Sequence, residues 1–230
     1  SVTYSRSITD VPLLRRKTET VMQRSGFRGG GHNFKALRHI LEKYPRDELL
    51  QINDDDLLKT ALSIMTLQER QRIALYTRGD LFGRYVSCLV YVPRERYDTR
   101  LRKAIQKILE EELGGRCDDS YTNLDDSSMA RIMYTIYTDA GAKPKRDNAQ
   151  IEARLQEAGR AWREKLALAL LELSEDEGAI PDIVEAYGEA FPAGYQQDYT
   201  PRQCVYDIAK IGSALKTERL ALDLYRCKIC

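Results

Sequence analysis

Few side chains in this sequence have both the type and the spacing that catalysis or metal binding requires. Cys227 and Cys230 have the CxxC spacing of a redox pair or of half a zinc site, but no second CxxC completes four ligands, and two core thiols are the alternative. His32 and His39 lie seven residues apart, whereas metal-binding pairs on a helix lie four apart. The aspartates at 54–56 are typical of a helix start. We therefore predict no catalytic, cofactor-binding or metal-binding residues.

Three arginines flank residues 84–92, the segment with the strongest strand pattern in the sequence. Arg84 begins this segment, and Arg94 and Arg96 follow it. A guanidinium group can bind a carboxylate through two parallel hydrogen bonds, so these arginines are candidates for holding a carboxylate ligand or an acidic partner surface. The alternative is that they pair with nearby acids and keep the edge of the strand soluble.

The same segment has a second face that carries tyrosine and leucine. Tyr85, Leu89 and Tyr91 alternate with the apolar positions 86, 88, 90 and 92, so they lie on the opposite face of the strand. Tyrosine is enriched at protein interfaces. We therefore predict that Tyr85, Leu89 and Tyr91 form an exposed face that contacts another protein module.

The overall charge and hydropathy exclude several classes of partner. The 36 basic and 35 acidic residues give a net charge of +1, which provides no electrostatic attraction to nucleic acid or to an anionic membrane. No apolar run approaches the roughly 20 residues that cross a bilayer. The five cysteines are odd in number and no signal peptide is visible, so we expect reduced thiols and a cytoplasmic protein.

The hydrophobic periodicity indicates an α+β protein with a small four-stranded antiparallel sheet, in the order β-β-α-β-β, flanked by helical segments. A single long helix is predicted over residues 151–173. Both ends of the chain look cut, because the first residue is Ser1 and residues 220–226 begin a strand without a partner. The predicted segments are a helical region at 1–70, the α+β module at 71–142, a helical segment at 143–217 and the first strand of a truncated module at 218–230.

Three stretches of this sequence together resemble the large bacterial NAD-dependent glutamate dehydrogenases. They are KALRHILEKYPRDEL at residues 35–49, RYVSCLVYVPRERY at 84–97 and FPAGYQQDY at 191–199. The resemblance runs over the whole chain, whereas the subunits of that family are several times longer. It implies an internal fragment of the N-terminal region, which carries ACT-like domains associated with amino-acid sensing and oligomer contacts.

The resemblance implies an ACT-like module at residues 71–142 and a non-catalytic regulatory or oligomerisation segment. The full-length parent is then an oxidoreductase that converts L-glutamate and NAD to 2-oxoglutarate and ammonium, with NAD bound outside this fragment. The order β-β-α-β-β departs from the βαββαβ order of ACT domains, which argues against an effector at the usual ACT position. No catalytic motif of the family occurs in this sequence, so no catalytic residue is carried over.

Two roles for the segment stay open within this resemblance. In one, Arg84, Arg94 or Arg96 holds the carboxylate of an amino-acid effector. In the other, which we favour, the face of Tyr85, Leu89 and Tyr91 packs on a neighbouring module of the same chain in a homo-oligomer. The alternative outside metabolism is a free-standing interaction adaptor, and the unpartnered strand at the end of the chain argues against it.

Overall fold

A computed structural model describes residues 7–138, 147–174, 176–217 and 220. Its internal packing divides the chain into two units, Ser1–Gly159 and Arg160–Cys230. Among the described residues, the first unit contains four N-terminal α-helices, the sheet and two further α-helices, and the second contains four α-helices. The predicted strand at 218–230, with Cys227 and Cys230, lies outside the described residues apart from Leu220.

The first unit begins with four helices that bury one apolar cluster. Asn53 caps the fourth helix by accepting a hydrogen bond from the Asp56 backbone N–H, which satisfies a donor that the helix itself leaves free. Gln71 ends that helix in the left-handed conformation, with φ of 42°. Leu37, Leu41 and other leucine and isoleucine side chains of these helices form the cluster. The helices are α1 (Pro12–Arg24), α2 (His32–Lys43), α3 (Arg46–Gln51) and α4 (Asp54–Arg70).

The sheet confirms the predicted α+β class, since it has four antiparallel strands, and a helix between the second and third. The strands lie in the order β1-β2-β4-β3, so β1 and β3 are the two edges. Asp98 caps the helix by accepting from the Leu101 N–H, and Gly114 ends it in the left-handed conformation. The elements are β1 (Ala74–Gly79), β2 (Tyr85–Pro93), α5 (Thr99–Leu113), β3 (Gly115–Asn123) and β4 (Met129–Thr138).

Both faces of strand β2 are covered by helices. Val86, Cys88 and their neighbours on one face pack against α5, as the alternation predicts. Leu89 and Tyr91 on the other face join the cluster of the N-terminal helices and are only 3% and 7% exposed. The prediction of an exposed face is therefore wrong for these two residues, and Tyr85 is half-buried. Alternation shows which side chains share a face, but it does not show that residues 12–70 fold back over that face.

The predicted long helix at 151–173 is wrong, because the structure has two helices that are separated at Gly159: α6 (Asn148–Ala158) and α7 (Trp162–Leu173). A Cβ atom at position 159 would lie 2.1 Å from Cδ1 of Ile73, so the end of α6 approaches the start of the sheet where only glycine fits. The predicted segment boundaries stay predictions, but α6 packs on the sheet although it follows the predicted boundary at 142.

Helix α6 lies along the outer edge of β1 and bonds to its backbone. The Leu75 backbone N–H donates to Oε2 of Glu152 at 3.0 Å, and Nε2 of Gln156 donates to the Ile73 carbonyl at 3.1 Å. Thr77 Oγ1 donates to Oδ1 of Asn148 at 2.9 Å. Side chains of α6 therefore occupy backbone groups that an edge strand otherwise offers to another strand.

The second unit packs its helices around a smaller core. Tyr195 lies in an aromatic stack, with ring centroids 4.6 Å from Phe191 and 4.5 Å from Tyr199. Its hydroxyl donates to the Asp207 carboxylate. Burial of the Tyr195 hydroxyl and this hydrogen bond raise its pKa above the usual range. Besides α7, the helices of this unit are α8 (Ile180–Tyr187), α9 (Ala193–Asp198) and α10 (Pro201–Thr217).

Candidate functional site

The candidate site is a groove between the N-terminal helices and the β1 side of the sheet. Its volume is about 580 Å³, in the range of small-molecule sites. The residues that line it include the buried apolar residues Ile52, Leu75 and Leu89. Its rim includes the exposed charged residues Asp56 and Lys59. The groove therefore combines buried apolar residues with exposed side chains of opposite charge.

A mostly buried ion pair closes one wall of the groove. Arg78 on β1 donates from Nε to Oε2 and from Nη2 to Oε1 of Glu48 on α3, both at 2.8 Å. Arg78 Nη2 also donates to Oε1 of Gln51 at 3.0 Å, and the Tyr85 hydroxyl donates to the same oxygen at 2.8 Å. The hydrogen bonds that Arg78 donates to Glu48 raise the pKa of Arg78, although burial opposes this. This network bonds the helical region to the first two strands.

A second polar contact joins α4 to β1 on the same side of the sheet. The Ser63 and Tyr76 hydroxyls lie 2.9 Å apart and share a hydrogen bond. Burial raises the pKa of the Tyr76 hydroxyl, so this group stays neutral and can donate near neutral pH. Tyr76 also packs edge-on against Tyr91, with ring centroids 6.0 Å apart. The wall therefore offers hydrogen-bonding groups without a nucleophile beside a general base.

A small cavity of about 30 Å³ lies between α2 and the end of β2. Lys43 and the Asp125 carboxylate lie 3.4 Å apart at its margin. Burial opposes ionisation of Asp125, but hydrogen bonds from the Ser127 N–H and from Lys43 lower its pKa. Tyr91 lines the same cavity, and burial raises its pKa to about 12. This cluster joins α2 to the sheet at a point remote from the Arg78 network.

The three predicted arginines do not form a joint site. Arg84 Nε donates to Oδ2 of Asp80 at 2.9 Å, at the start of β2. Arg94 donates to the Asp125 carbonyl beyond the other end of β2, and Arg96 lies 4.0 Å from the Glu95 carboxylate. A strand of this length separates Arg84 from the other two by roughly 30 Å. The role of each arginine in effector binding stays a prediction.

The residues of the groove were not identified from sequence. Arg78 and Glu48 lie 30 residues apart in different kinds of element, so no local spacing connects them. One feature of the sequence could have indicated this ion pair: Arg78 is a charged residue in an otherwise uncharged strand pattern. Within the ranges that the structure describes, no cluster of three His, Cys, Asp or Glu residues could hold a metal ion. Among the described helices, none has the length and apolar character needed to cross a membrane.

Three family models match consecutive parts of the chain. They are the glutamate dehydrogenase helical motif 1 at residues 11–70, the glutamate dehydrogenase ACT2 domain at 74–163 and the glutamate dehydrogenase helical motif 2 at 169–214. The first match begins at α1 and ends with α4, and the second begins at β1 and includes α6. The Glu48–Arg78 pair therefore connects the helical motif to the ACT2 domain.

The chain is similar to three NAD-specific glutamate dehydrogenases. It is 41% identical to that of Halomonas elongata over 97% of this chain, and 34% identical to that of Pseudomonas aeruginosa over 98%. The relative in Mycobacterium tuberculosis is 27% identical over 89% of this chain. The chain spans 14% of the first two relatives and 13% of the third. The resemblance predicted from the sequence is thus confirmed, and the chain belongs to the NAD-specific glutamate dehydrogenase family, as its ACT2 domain with the two flanking helical motifs.

Proposed function

We propose that this chain is a non-catalytic regulatory and oligomerisation segment of an NAD-dependent glutamate dehydrogenase. The parent enzyme oxidises L-glutamate with NAD and water to 2-oxoglutarate, ammonium and NADH, and NAD binds in another part of the polypeptide. One observation carries the proposal: a helical motif, an ACT2 domain and a second helical motif of this family match in sequence order. The proposal includes a cytoplasmic, homo-oligomeric parent.

The scaffold role is favoured by the way in which the helical motif is fixed to the ACT2 sheet. The Arg78 guanidinium is held by Glu48 and Gln51, and Leu89 and Tyr91 pack beneath the same helices. Movement of α3 alone would break these hydrogen bonds and expose apolar surface to water, which costs free energy. We therefore expect the helices and the sheet to move together. Because its helices and sheet are bonded together, the segment transmits a displacement from one neighbouring part of the polypeptide to another.

The second candidate role is the binding of an amino-acid effector, and the groove is the proposed binding site. Lys59 and Asp56 provide opposite charges at the entrance, which complement the carboxylate and ammonium groups of an amino acid. The groove is large enough for a ligand of this size. Because it is bordered by both the helical motif and the ACT2 domain, an effector there contacts both.

Turnover measurements test the proposed function. The purified chain is assayed for NADH formation from L-glutamate and NAD, beside the full-length parent at equal molar concentration. We expect turnover from the parent alone. Turnover by the purified chain at a rate comparable to the parent's would overturn the non-catalytic assignment.

Titration calorimetry of the purified chain with each of the amino acids separates the two roles. Binding that is lost in Lys59→Met and retained in a control variant, Lys103→Met on the remote helix α5, supports an effector site in the groove. Absence of heat with every amino acid removes the effector role and leaves the scaffold.

A further inference from the structure

The loop between β1 and β2 presents two large apolar side chains to solvent. Leu81 is 95% exposed and Phe82 is 77% exposed. Single exposed apolar residues are ordinary on protein surfaces, but two adjacent ones at the tip of a hairpin form a small projecting anchor. We call Leu81 and Phe82 the hairpin anchor.

The loop that carries the hairpin anchor is held in one conformation by hydrogen bonds. Oδ2 of Asp80 accepts from the backbone N–H groups of Phe82 at 3.3 Å and Arg84 at 3.4 Å. The Gly83 N–H donates to the Asp80 carbonyl at 3.1 Å, and the Asp80 N–H donates to the Tyr85 carbonyl at 2.9 Å. Gly83 has a φ of 66°, which other residues rarely adopt. The exposed side chains are thus preorganised, which lowers the entropy cost of binding.

The charge next to the hairpin anchor is balanced within the loop. The Arg84 guanidinium lies 5.0 Å from the centroid of the Phe82 ring, but its Nε is bonded to the Asp80 carboxylate. The Tyr137 ring lies beside that of Tyr85, with centroids 5.8 Å apart, and Tyr137 is also exposed. An apolar partner pocket therefore meets this surface without having to supply a countercharge.

The small size of the hairpin anchor decides what kind of partner it fits. Its two side chains can bury roughly 300 Å², whereas a stable complex between separate proteins buries about 800 Å² on each partner. A contact this small is populated when both sides belong to one polypeptide, because tethering raises the effective concentration to the order of millimolar. The relatives provide that tether, since this chain spans only 14% of their length.

We propose that Leu81 and Phe82 insert into an apolar pocket on another segment of the same glutamate dehydrogenase polypeptide, outside these 230 residues. This inference rests on the proposed function, because it requires the parent enzyme. It identifies the hairpin as a surface through which the ACT2 domain contacts the subunit outside these 230 residues, whereas the face of Leu89 and Tyr91 is already covered by the N-terminal helices.

Site-specific photo-cross-linking tests the hairpin anchor in the full-length parent. Phe82 is replaced by p-benzoylphenylalanine, the enzyme is irradiated, and the products are resolved on a denaturing gel and mapped by mass spectrometry. A matched control carries the same group at Tyr121, which is 67% exposed on β3 at the far edge of the sheet. We expect the position 82 variant alone to give a cross-link of single-subunit mass to a peptide outside this segment.

Two outcomes overturn the inference. A product of twice the subunit mass assigns the hairpin anchor to a second copy, and cross-linking at position 82 no greater than at position 121 leaves it without a partner. Neither outcome bears on the turnover assay, so the two proposals fail separately. As a second measurement, the pair of substitutions Leu81→Asn and Phe82→Asn should leave the melting temperature of the isolated chain unchanged but make the hairpin of the parent enzyme more susceptible to limited proteolysis.

Discussion

Glu48 and Arg78 form a two-point ion pair across the boundary between the N-terminal helices and the sheet, with both N–O distances at 2.8 Å. The pair lies at the margin of the groove and is mostly screened from water, since the two side chains are 10% and 15% exposed. A charge in this position is costly when its partner is removed, and this makes the junction testable.

We expect Glu48→Leu to lower the free energy of unfolding by about 3 kcal/mol, because it leaves the Arg78 guanidinium buried without its carboxylate. The double variant Glu48→Leu/Arg78→Met should recover most of this loss. Urea unfolding followed by circular dichroism measures both. The control is Arg24→Ala, which removes an exposed pair with Asp55 and should cost less than about 1 kcal/mol. Equal losses in the single and double variants would contradict the account of an unpaired buried charge.

Glu152→Ala should weaken the hydrogen bonding between α6 and the outer edge of β1. The substitution removes the acceptor of the Leu75 N–H, which costs about 1 kcal/mol, and it exposes that amide to solvent. Hydrogen exchange of the Leu75 amide, measured by NMR, should therefore be faster in Glu152→Ala than in the unsubstituted chain. Exchange at Leu75 should be unchanged in Glu19→Ala, which alters an exposed residue on α1. Unchanged exchange at Leu75 in Glu152→Ala would show that another group protects this edge.

Gly159→Ala should destabilise the first unit by about 1–3 kcal/mol, because the added methyl group meets Cδ1 of Ile73. Combining it with Ile73→Val, which deletes Cδ1, should restore part of the stability. Gly212→Ala is the matched control in α10, where nothing lies within 4 Å of the added Cβ, and alanine should stabilise the helix by about 0.5–1 kcal/mol. Thermal melts of the four proteins give the comparison, and a neutral Gly159→Ala would refute the close approach of α6.

The buried Tyr91 hydroxyl should make the chain less stable in strong alkali. Burial raises its pKa from 10.0 to about 12, so the folded state holds its proton when the unfolded state has lost it. This contribution is complete below pH 10 and disappears as the pH rises towards 12, with a loss of roughly 2–3 kcal/mol. Tyr91→Phe should reduce the slope of stability against pH in this window. The readout is urea unfolding between pH 9 and 12.

Local patterns were sufficient to predict the elements of the sheet. Strand β4 follows from the sequence because Ala130, Ile132, Tyr134 and Ile136 alternate along a run without glycine or proline. Helix α5 likewise follows from a stripe of aliphatic residues between Asp98 and Gly114, which cap its two ends. In each case the side chains that determine the element are close together in sequence.

The parts that sequence reasoning missed depend on residues far apart in the chain. The burial of Leu89 and Tyr91 depends on helices that precede β2 by many residues, so strand alternation alone left their face open. The break at Gly159 depends on the position of Ile73, which no helical periodicity contains. The groove has the same origin, since its ion pair joins residues 48 and 78.

The side chains bonded to the two edge strands limit how the sheet can associate. At β1, Glu152 and Gln156 of α6 occupy the Leu75 N–H and the Ile73 carbonyl, and at the opposite edge Glu110 of α5 accepts a hydrogen bond from the Cys117 N–H of β3. A strand of another molecule would have to displace these side chains before it could pair with either edge. The helices of the fold thus protect the sheet against edge-to-edge aggregation.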